Sequence, residues 1–260
     1  MVQLRVAVTD SAGHYVRDLS ANDFSVAENG VKQNIRLVST PAAEAPTTVF
    51  VLFDTSDRMY QSFVYAEDAI SNFIHHLSPQ NGVAVYSFSR NVTRLVAMTR
   101  DRLAALVGLR RAVSGDETSL YDSVLVTLRE AEKVPGGKIL VVFSNGPDTA
   151  SFLAPEDVRG VAEDLGIPIY VVSARDQAPR SNAVLRELTQ STGGKTYFAT
   201  RWQDQRVAFE SIDADIKNSY VISYYPRGGN GAGYRKLDVK LTGQDRGYQL
   251  RTRTGYRASE

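Results

Sequence analysis

The sequence predicts an α/β protein: a doubly wound, mostly parallel sheet inserted into a small β-sandwich built from both chain ends. Three observations carry this. The first ~40 residues and the last ~40 follow a period-two apolar rhythm, the mark of strands with one buried face. The middle of the chain alternates wholly apolar runs with helix-period stretches. A linker-like Pro41-Ala42-Ala43-Glu44-Ala45-Pro46-Thr47 separates the first rhythm from the second. The expected division is 1–40 with 219–257 as the sandwich and 48–218 as the α/β unit. A split sandwich is topologically simple, because domain termini usually lie close together.

Taken in order, Val2, Leu4, Val6 and Val8 alternate with polar or small residues as one strand. Phe24-Ser25-Val26 runs into Glu28-Asn29-Gly30-Val31, and Asn-Gly between alternating arms predicts a tight hairpin, with Ile35, Leu37 and Ser39 continuing its second arm. Val49–Phe53 is continuously apolar, as a strand buried on both faces requires. Phe63, Ala66, Ile70, Phe73, Ile74 and Leu77 then share a helical stripe. Strands follow at 83–88 and 92–97, helices at 101–113 and 119–132, and a second fully apolar strand at Ile139–Phe143. Helices near 155–165, 181–191 and 204–217 alternate with strands at 167–172 and 196–198. The chain closes on strands at 220–225, 234–241 and 248–253.

Composition excludes several classes. The 260 residues carry 30 Lys+Arg against 29 Asp+Glu, so nothing global points to nucleic acid. There is no cysteine, which removes disulfides, thiolate metal sites and a Cys nucleophile. No apolar run reaches the ~18 residues of a membrane span, and Met1–Val6 reads as a strand, not as the core of a signal peptide. A leader removed ahead of it stays open. The three histidines, His14, His75 and His76, lack partners at metal-ligand spacing and read as solvated. Gly228-Gly229-Asn230-Gly231-Ala232-Gly233 precedes a strand pattern, so it reads as a hairpin loop and not a phosphate cradle. From Arg227 onward eight Lys or Arg face only Asp238, Asp245 and Glu260. Alternation places those cations mainly on a solvent face, with an anionic partner as the minority reading.

The chemistry-bearing residues lie at the ends of the two most apolar strands. Asp54-Thr55-Ser56-Asp57-Arg58 follows the first, and Ser144-Asn145-Gly146-Pro147-Asp148 follows the second. Ser114-Gly115-Asp116-Glu117-Thr118-Ser119-Leu120-Tyr121-Asp122 runs into the helix between them. In doubly wound sheets ligands bind beyond the carboxyl ends of the strands, where strand order reverses. Three oxygen-rich loops meeting there predict a hard-cation or anion site.

These three strings resemble the von Willebrand factor type A family, a Rossmann-like fold. The flanks, Val6-x-Val8-x-Asp10 through Glu28-x-Gly30 and Tyr224-Tyr225-Pro226 with Gly255-Tyr256, are similar to bacterial proteins related to it. The resemblance implies a non-enzymatic adhesion module in a bacterial envelope, periplasmic or secreted setting, contacting a protein partner. It also implies a metal-ion-dependent adhesion site. Asp54, Ser56 and Thr118 match the family's ligands. Arg58 stands where a Ser is usual and Asn145 where an Asp is usual, which makes the site two charges more positive. Mg²⁺ needs compact oxygen ligands, so the expectation is a degenerate site with no cofactor or only a weak divalent cation, and with Arg58 pairing to Asp54 or Asp57. The expected contact face comprises Asp54, Ser56, Asp57, Arg58, Thr118, Asn145 and Asp148. The alternatives are a retained Mg²⁺ on Asp54, Ser56 and Thr118, or an assembly module acting through the sandwich. Asp54-Thr55-Ser56 also resembles aspartyl-nucleophile phosphatases, but those place a second Asp where Ser56 stands, so catalysis is not expected.

Overall fold

A computed structural model describes residues 1–39, 46–57, 63–144, 147–173, 179–228, 232–243 and 247–258. The N-terminal alternation builds β1 (Val2–Thr9), with Leu4, Val6 and Val8 fully buried. β2 (Phe24–Glu28) and β3 (Val31–Gln33) form the expected hairpin. At its tip Asn29 and Gly30 have φ of 48° and 82°, the left-handed pair that a type I′ turn demands. β4 (Ile35–Ser39) does not continue the hairpin arm. It leaves β2 and pairs antiparallel with the strand Tyr220–Tyr224 in a different sheet.

The central segment contributes β5 (Thr47–Asp54), α1 (Phe63–His76), β6 (Gly82–Phe88), β7 (Val92–Thr99), α2 (Arg102–Leu109), α3 (Leu120–Glu132) and β8 (Gly137–Ser144). It continues with α4 (Pro155–Leu165), β9 (Ile169–Ser173), α5 (Pro179–Ser191), β10 (Thr196–Phe198) and α6 (Trp202–Asn218). The strands form one sheet in the order β10-β9-β8-β5-β6-β7, parallel except for β7, which runs antiparallel at the edge. All eight residues of β5 are buried, because helices cover both faces. Val49, Val51 and Phe53 face α1, α2 and α6 through Ile70, Ile74, Leu109 and Ile212. Phe50 and Leu52 face α3, α4 and α5 through Val124, Leu128, Val158 and Leu185. Each such side chain contributes ~1.5–3 kcal/mol of transfer free energy, so this double burial is what orders the sheet. The chain steps from β5 to β6 on one side and returns to β8 on the other. Strand order therefore reverses between β5 and β8, and their carboxyl ends flank the crevice. No helix among the described residues is long and apolar enough to cross a membrane.

β11 (Tyr220–Tyr224), β12 (Gly233–Leu241), β13 (Gln249–Arg251) and β14 (Gly255–Ala258) complete the sandwich. Its two sheets, β13-β1-β11-β4 and β14-β12-β2-β3, each interleave strands from both chain ends. Leu4, Val6, Val26, Ile222 and Tyr224 fill the space between them. β11 and β12 lie in different sheets, so they do not form the hairpin expected across the glycine-rich segment, of which Gly229, Asn230 and Gly231 lie outside the described residues. A strand follows it, as the rejection of a phosphate cradle required.

The C-terminal cations are not all on a solvent face. Arg251 and Arg253 turn inward and join the sandwich to the base of the α/β unit. Arg251 Nη2 donates to Asp215 Oδ1 at 2.5 Å, and Nη1 donates to Gly193 O at 2.8 Å. Asp215 is 1% exposed and also accepts from Tyr15 Oη at 2.5 Å. Arg253 donates to Glu163 O and to Gln3 O, both at 3.2 Å. Arg5 Nη2 reaches Thr47 Oγ1 at 3.0 Å. Period-two alternation cannot see a second layer packed on a strand's outer face, and that layer is what turns these cations inward. A Cβ on Gly193, whose φ is +83°, would lie 2.8 Å from Arg253 N, so the seam closes on bare backbone there.

Arg251→Met leaves the Asp215 carboxylate buried without its cation, and a loss of about 3–5 kcal/mol in urea unfolding is expected. The double variant Asp215→Asn/Arg251→Met recovers part of it. Equal losses in the single and double variants would show that the ion pair is not the source.

Candidate functional site

β5 carries its apolar run to the last residue, and there Asp54 lies fully buried, at 0% exposure. A carboxylate in such a place needs donors on every side. Its Oδ1 accepts from Ser56 N at 2.9 Å, an Asx-type turn that bends the chain off the strand. Its Oδ2 accepts from Ser144 Oγ at 2.7 Å, across the crevice from the end of β8. Thr55 N donates to Phe88 O at 2.7 Å, extending the β5–β6 pairing by one bond.

The second loop is laid against this turn. Gly115 N donates to Thr55 O at 2.9 Å, and Ser56 forms a parallel bridge with Gly115. A Cβ on Gly115 would stand 2.2 Å from Ser89 Oγ, so a side chain here would push the loop off the strand end. Thr118 is fully buried. Its N donates to Thr149 Oγ1 at 3.0 Å, and its O accepts from Thr149 N at 2.8 Å and Ala150 N at 3.1 Å. Ser119 Oγ reaches Ser89 O at 2.9 Å and Arg90 O at 2.8 Å, fixing the loop where α3 starts.

With these backbone groups so paired, two side-chain atoms stand out. Ser56 Oγ and Thr118 Oγ1 are both buried and have no hydrogen-bond partner among the described residues. Leaving a hydroxyl so costs about 1–3 kcal/mol, and native proteins leave few of them. Two in adjoining loops beside a buried carboxylate form a set of hard oxygen donors, the chemistry that suits Mg²⁺, Mn²⁺ or Ca²⁺ and not zinc. The residues present therefore fit a cation in kind. They are poor in charge: among the described residues no group of three or more His, Asp or Glu side chains is arranged to hold a metal.

The other expected face residues divide. Asp57 is exposed at the mouth. Asp148 is engaged elsewhere: its Oδ1 accepts from Leu120 N at 2.7 Å and Ser151 Oγ at 2.6 Å, so it caps α3. Asp122 answers from the first turn of α3, accepting from Phe152 N at 3.1 Å and Leu153 N at 3.0 Å. Arg58 and Asn145 lie outside the described residues. Ser144, Ser89 and Thr149 were not among the expected site residues. Ser144 had one usable signal, a hydroxyl closing an apolar strand next to the reversal point. Ser89 and Thr149 had none, because their roles depend on which loops become neighbours. His75 and His76 are exposed at the end of α1, as expected of solvated imidazoles.

Comparison with known proteins places this geometry. Residues 48–147 match the model of the von Willebrand factor type A domain. A UPF0353 protein of Mycobacterium tuberculosis is 22% identical over 226 residues, covering 74% of this chain and 66% of the relative. The chain thus spans about two thirds of the length of the curated relatives it matches. The solved structure titled von Willebrand factor type A, from Catenulispora acidiphila, superposes with a TM-score of 0.59 at 10% identity, over 90% of this chain and 74% of that one. An aerotolerance-related membrane protein from Bacteroides fragilis superposes with a TM-score of 0.56 at 15% identity, over 65% of this chain and 98% of that one.

Asp148→Ala removes a helix cap and is expected to cost about 1–2 kcal/mol in urea unfolding, by the same amount in EDTA and in Mg²⁺. A cost that grows in Mg²⁺ would make Asp148 a ligand and not a cap.

Proposed function

Because the chain carries a von Willebrand factor type A domain, we propose that it is a non-enzymatic protein-binding module with a weak site for a hard divalent cation at Asp54, Ser56 and Thr118. The observation that carries this reading is the pair of buried, partnerless hydroxyls beside the Asp54 carboxylate. A pocket that had lost its cation for good would be stabilised by filling those positions with apolar atoms; this one keeps both oxygens. Weakness follows from charge. Asp54 is the one carboxylate that the described loops turn into the pocket, and in the sequence Arg58 withholds one of the family's usual oxygens and Asn145 one of its negative charges. A bound cation supplies an open coordination position for a carboxylate of the partner. The protein's own residues do the rest: Ser144 and Ser56 N hold Asp54 in place, and the Gly115–Ser119 loop sets the rim.

Nothing in the arrangement supports turnover. Ser56 occupies the position of a phosphatase's general acid, and Asp54 is buried with both oxygens hydrogen-bonded. The membrane protein of B. fragilis, similar in fold, supports an envelope setting for the module. The sandwich as the functional surface is the second reading. It is favoured by Arg251 and Arg253, which tie it firmly to the α/β base.

Titration calorimetry with Mn²⁺ and Mg²⁺ tests the site. The expected affinity is weaker than ~100 µM, with Arg58→Ser/Asn145→Asp binding at least roughly tenfold tighter. In chelator, Thr118→Val is expected to raise stability by about 1 kcal/mol and to abolish the shift that Mg²⁺ gives the wild type, which at 10 mM and a Kd near 1 mM is about 1.4 kcal/mol. Micromolar wild-type binding would remove the weakness from the account, and a Mg²⁺ shift that survives Thr118→Val would remove the site.

A further inference from the structure

Far from Asp54, at the amino-terminal end of β8, a cleft of about 910 Å³ separates the base of the α/β unit from the sandwich. Lys138, Arg235, Arg253 and Arg257 line it, against one lining carboxylate, Asp164. Several of the C-terminal cations are accounted for elsewhere. Arg251 pairs with Asp215, Lys240 with Asp238 on an exposed face, and Arg235 with the buried Glu28 at 3.7 Å. Lys138, Arg253 and Arg257 have no ion pair among the described residues, and all three line this one cleft.

Their local geometry leaves capacity for a ligand. Arg253 is 9% exposed, its guanidinium lies 5.1 Å from the Tyr256 ring centroid, and its Nε is buried without a hydrogen-bond partner among the described residues. Lys138 Nζ donates one hydrogen bond, to Val134 O at 2.6 Å, leaving two of its three N–H groups. Burial draws its ammonium below the usual lysine range. Asp164 is occupied by Arg257 N at 2.8 Å, so the carboxylate holds the strand's backbone and not its cation. Gly136 and Gly137 also line the cleft beside Lys138, and Gly166 packs against Arg253, whose Nη1 lies 2.5 Å from where a Cβ would stand. Glu28, Glu132 and Glu163 lie near enough to act on Lys138, Arg253 and Arg257 without closing an ion pair with them, and the lining itself sets four cations against one carboxylate, a surplus that suits an oxyanion with more than one charge.

We propose that this cleft binds a small multivalent oxyanion of the phosphate class through Lys138, Arg253 and Arg257. The site is independent of the cation pocket. β8 separates them, Gly137 at one end and Ser144 at the other, about 23 Å apart at ~3.3 Å per residue.

Calorimetry with inorganic pyrophosphate at fixed ionic strength, with chloride as the blank and citrate as the carboxylate comparison, tests this on the full chain. Wild type is expected to bind pyrophosphate with a Kd below about 1 mM, and more tightly than citrate. Lys138→Gln/Arg257→Gln is expected to bind roughly tenfold more weakly or not at all, while Lys240→Gln, a lost cation on the exposed face of β12, binds as wild type. Should the double variant fail to fold by circular dichroism, Arg257→Gln alone carries the test, since its side chain is exposed. No heat with 10 mM pyrophosphate, tighter binding of citrate, or an unchanged Kd in the cleft variants would each overturn the proposal. The Mn²⁺ titration is read separately, so failure here leaves the reading of Asp54 untouched.

Discussion

A single buried carboxylate organises the upper end of this molecule. Asp54 sits at the last position of the central strand, where both faces of the sheet are sealed by helices and water does not reach. Its two oxygens take a backbone N–H from Ser56 and a hydroxyl from Ser144, and those bonds fix the direction in which two loops leave the sheet. The Gly115–Ser119 loop then has one place to lie, between Thr55 and Ser89. Thr118 comes to rest in the same buried layer with its hydroxyl unpaired among the described residues. The partnerless hydroxyls are thus a consequence of how the carboxylate is held. The loop backbones are satisfied by one another, and the side-chain oxygens are left over.

The lower end works by a different physics. Apolar packing holds each layer together, but the join between sandwich and α/β unit is a polar seam: Arg251 on Asp215, Arg253 on helix and strand carbonyls, Arg5 on Thr47. Buried ion pairs of this kind add little net stability over apolar contacts, but they penalise misregister heavily. The seam therefore specifies one docking geometry for a domain whose strands come from both chain ends.

Much of this was legible in the sequence where local pattern and burial coincide. The run Val49–Phe53 could only be a strand covered on both sides, and Asn29-Gly30 could only be a left-handed turn. Other features depended on contacts that no local pattern encodes. Ile35–Ser39 has the alternation of a hairpin arm, yet its partner is β11, nearly two hundred residues away. Arg251 and Arg253 alternate like surface residues, yet the surface they face is another domain. Asp148 looks like part of a metal loop, yet it caps a helix that began 28 residues earlier in the chain. Asp54, Ser56 and Thr118 were recognisable as a set by motif alone. That the Ser56 and Thr118 hydroxyls are buried with no partner among the described residues is knowable only from the packed structure.

The most direct test is an anomalous-difference map from a crystal grown with Mn²⁺. The account predicts a peak of partial occupancy within bonding distance of Asp54, Ser56 Oγ and Thr118 Oγ1. A pocket filled instead by the Arg58 guanidinium, with both hydroxyls turned onto other donors or acceptors and no manganese signal, would contradict it.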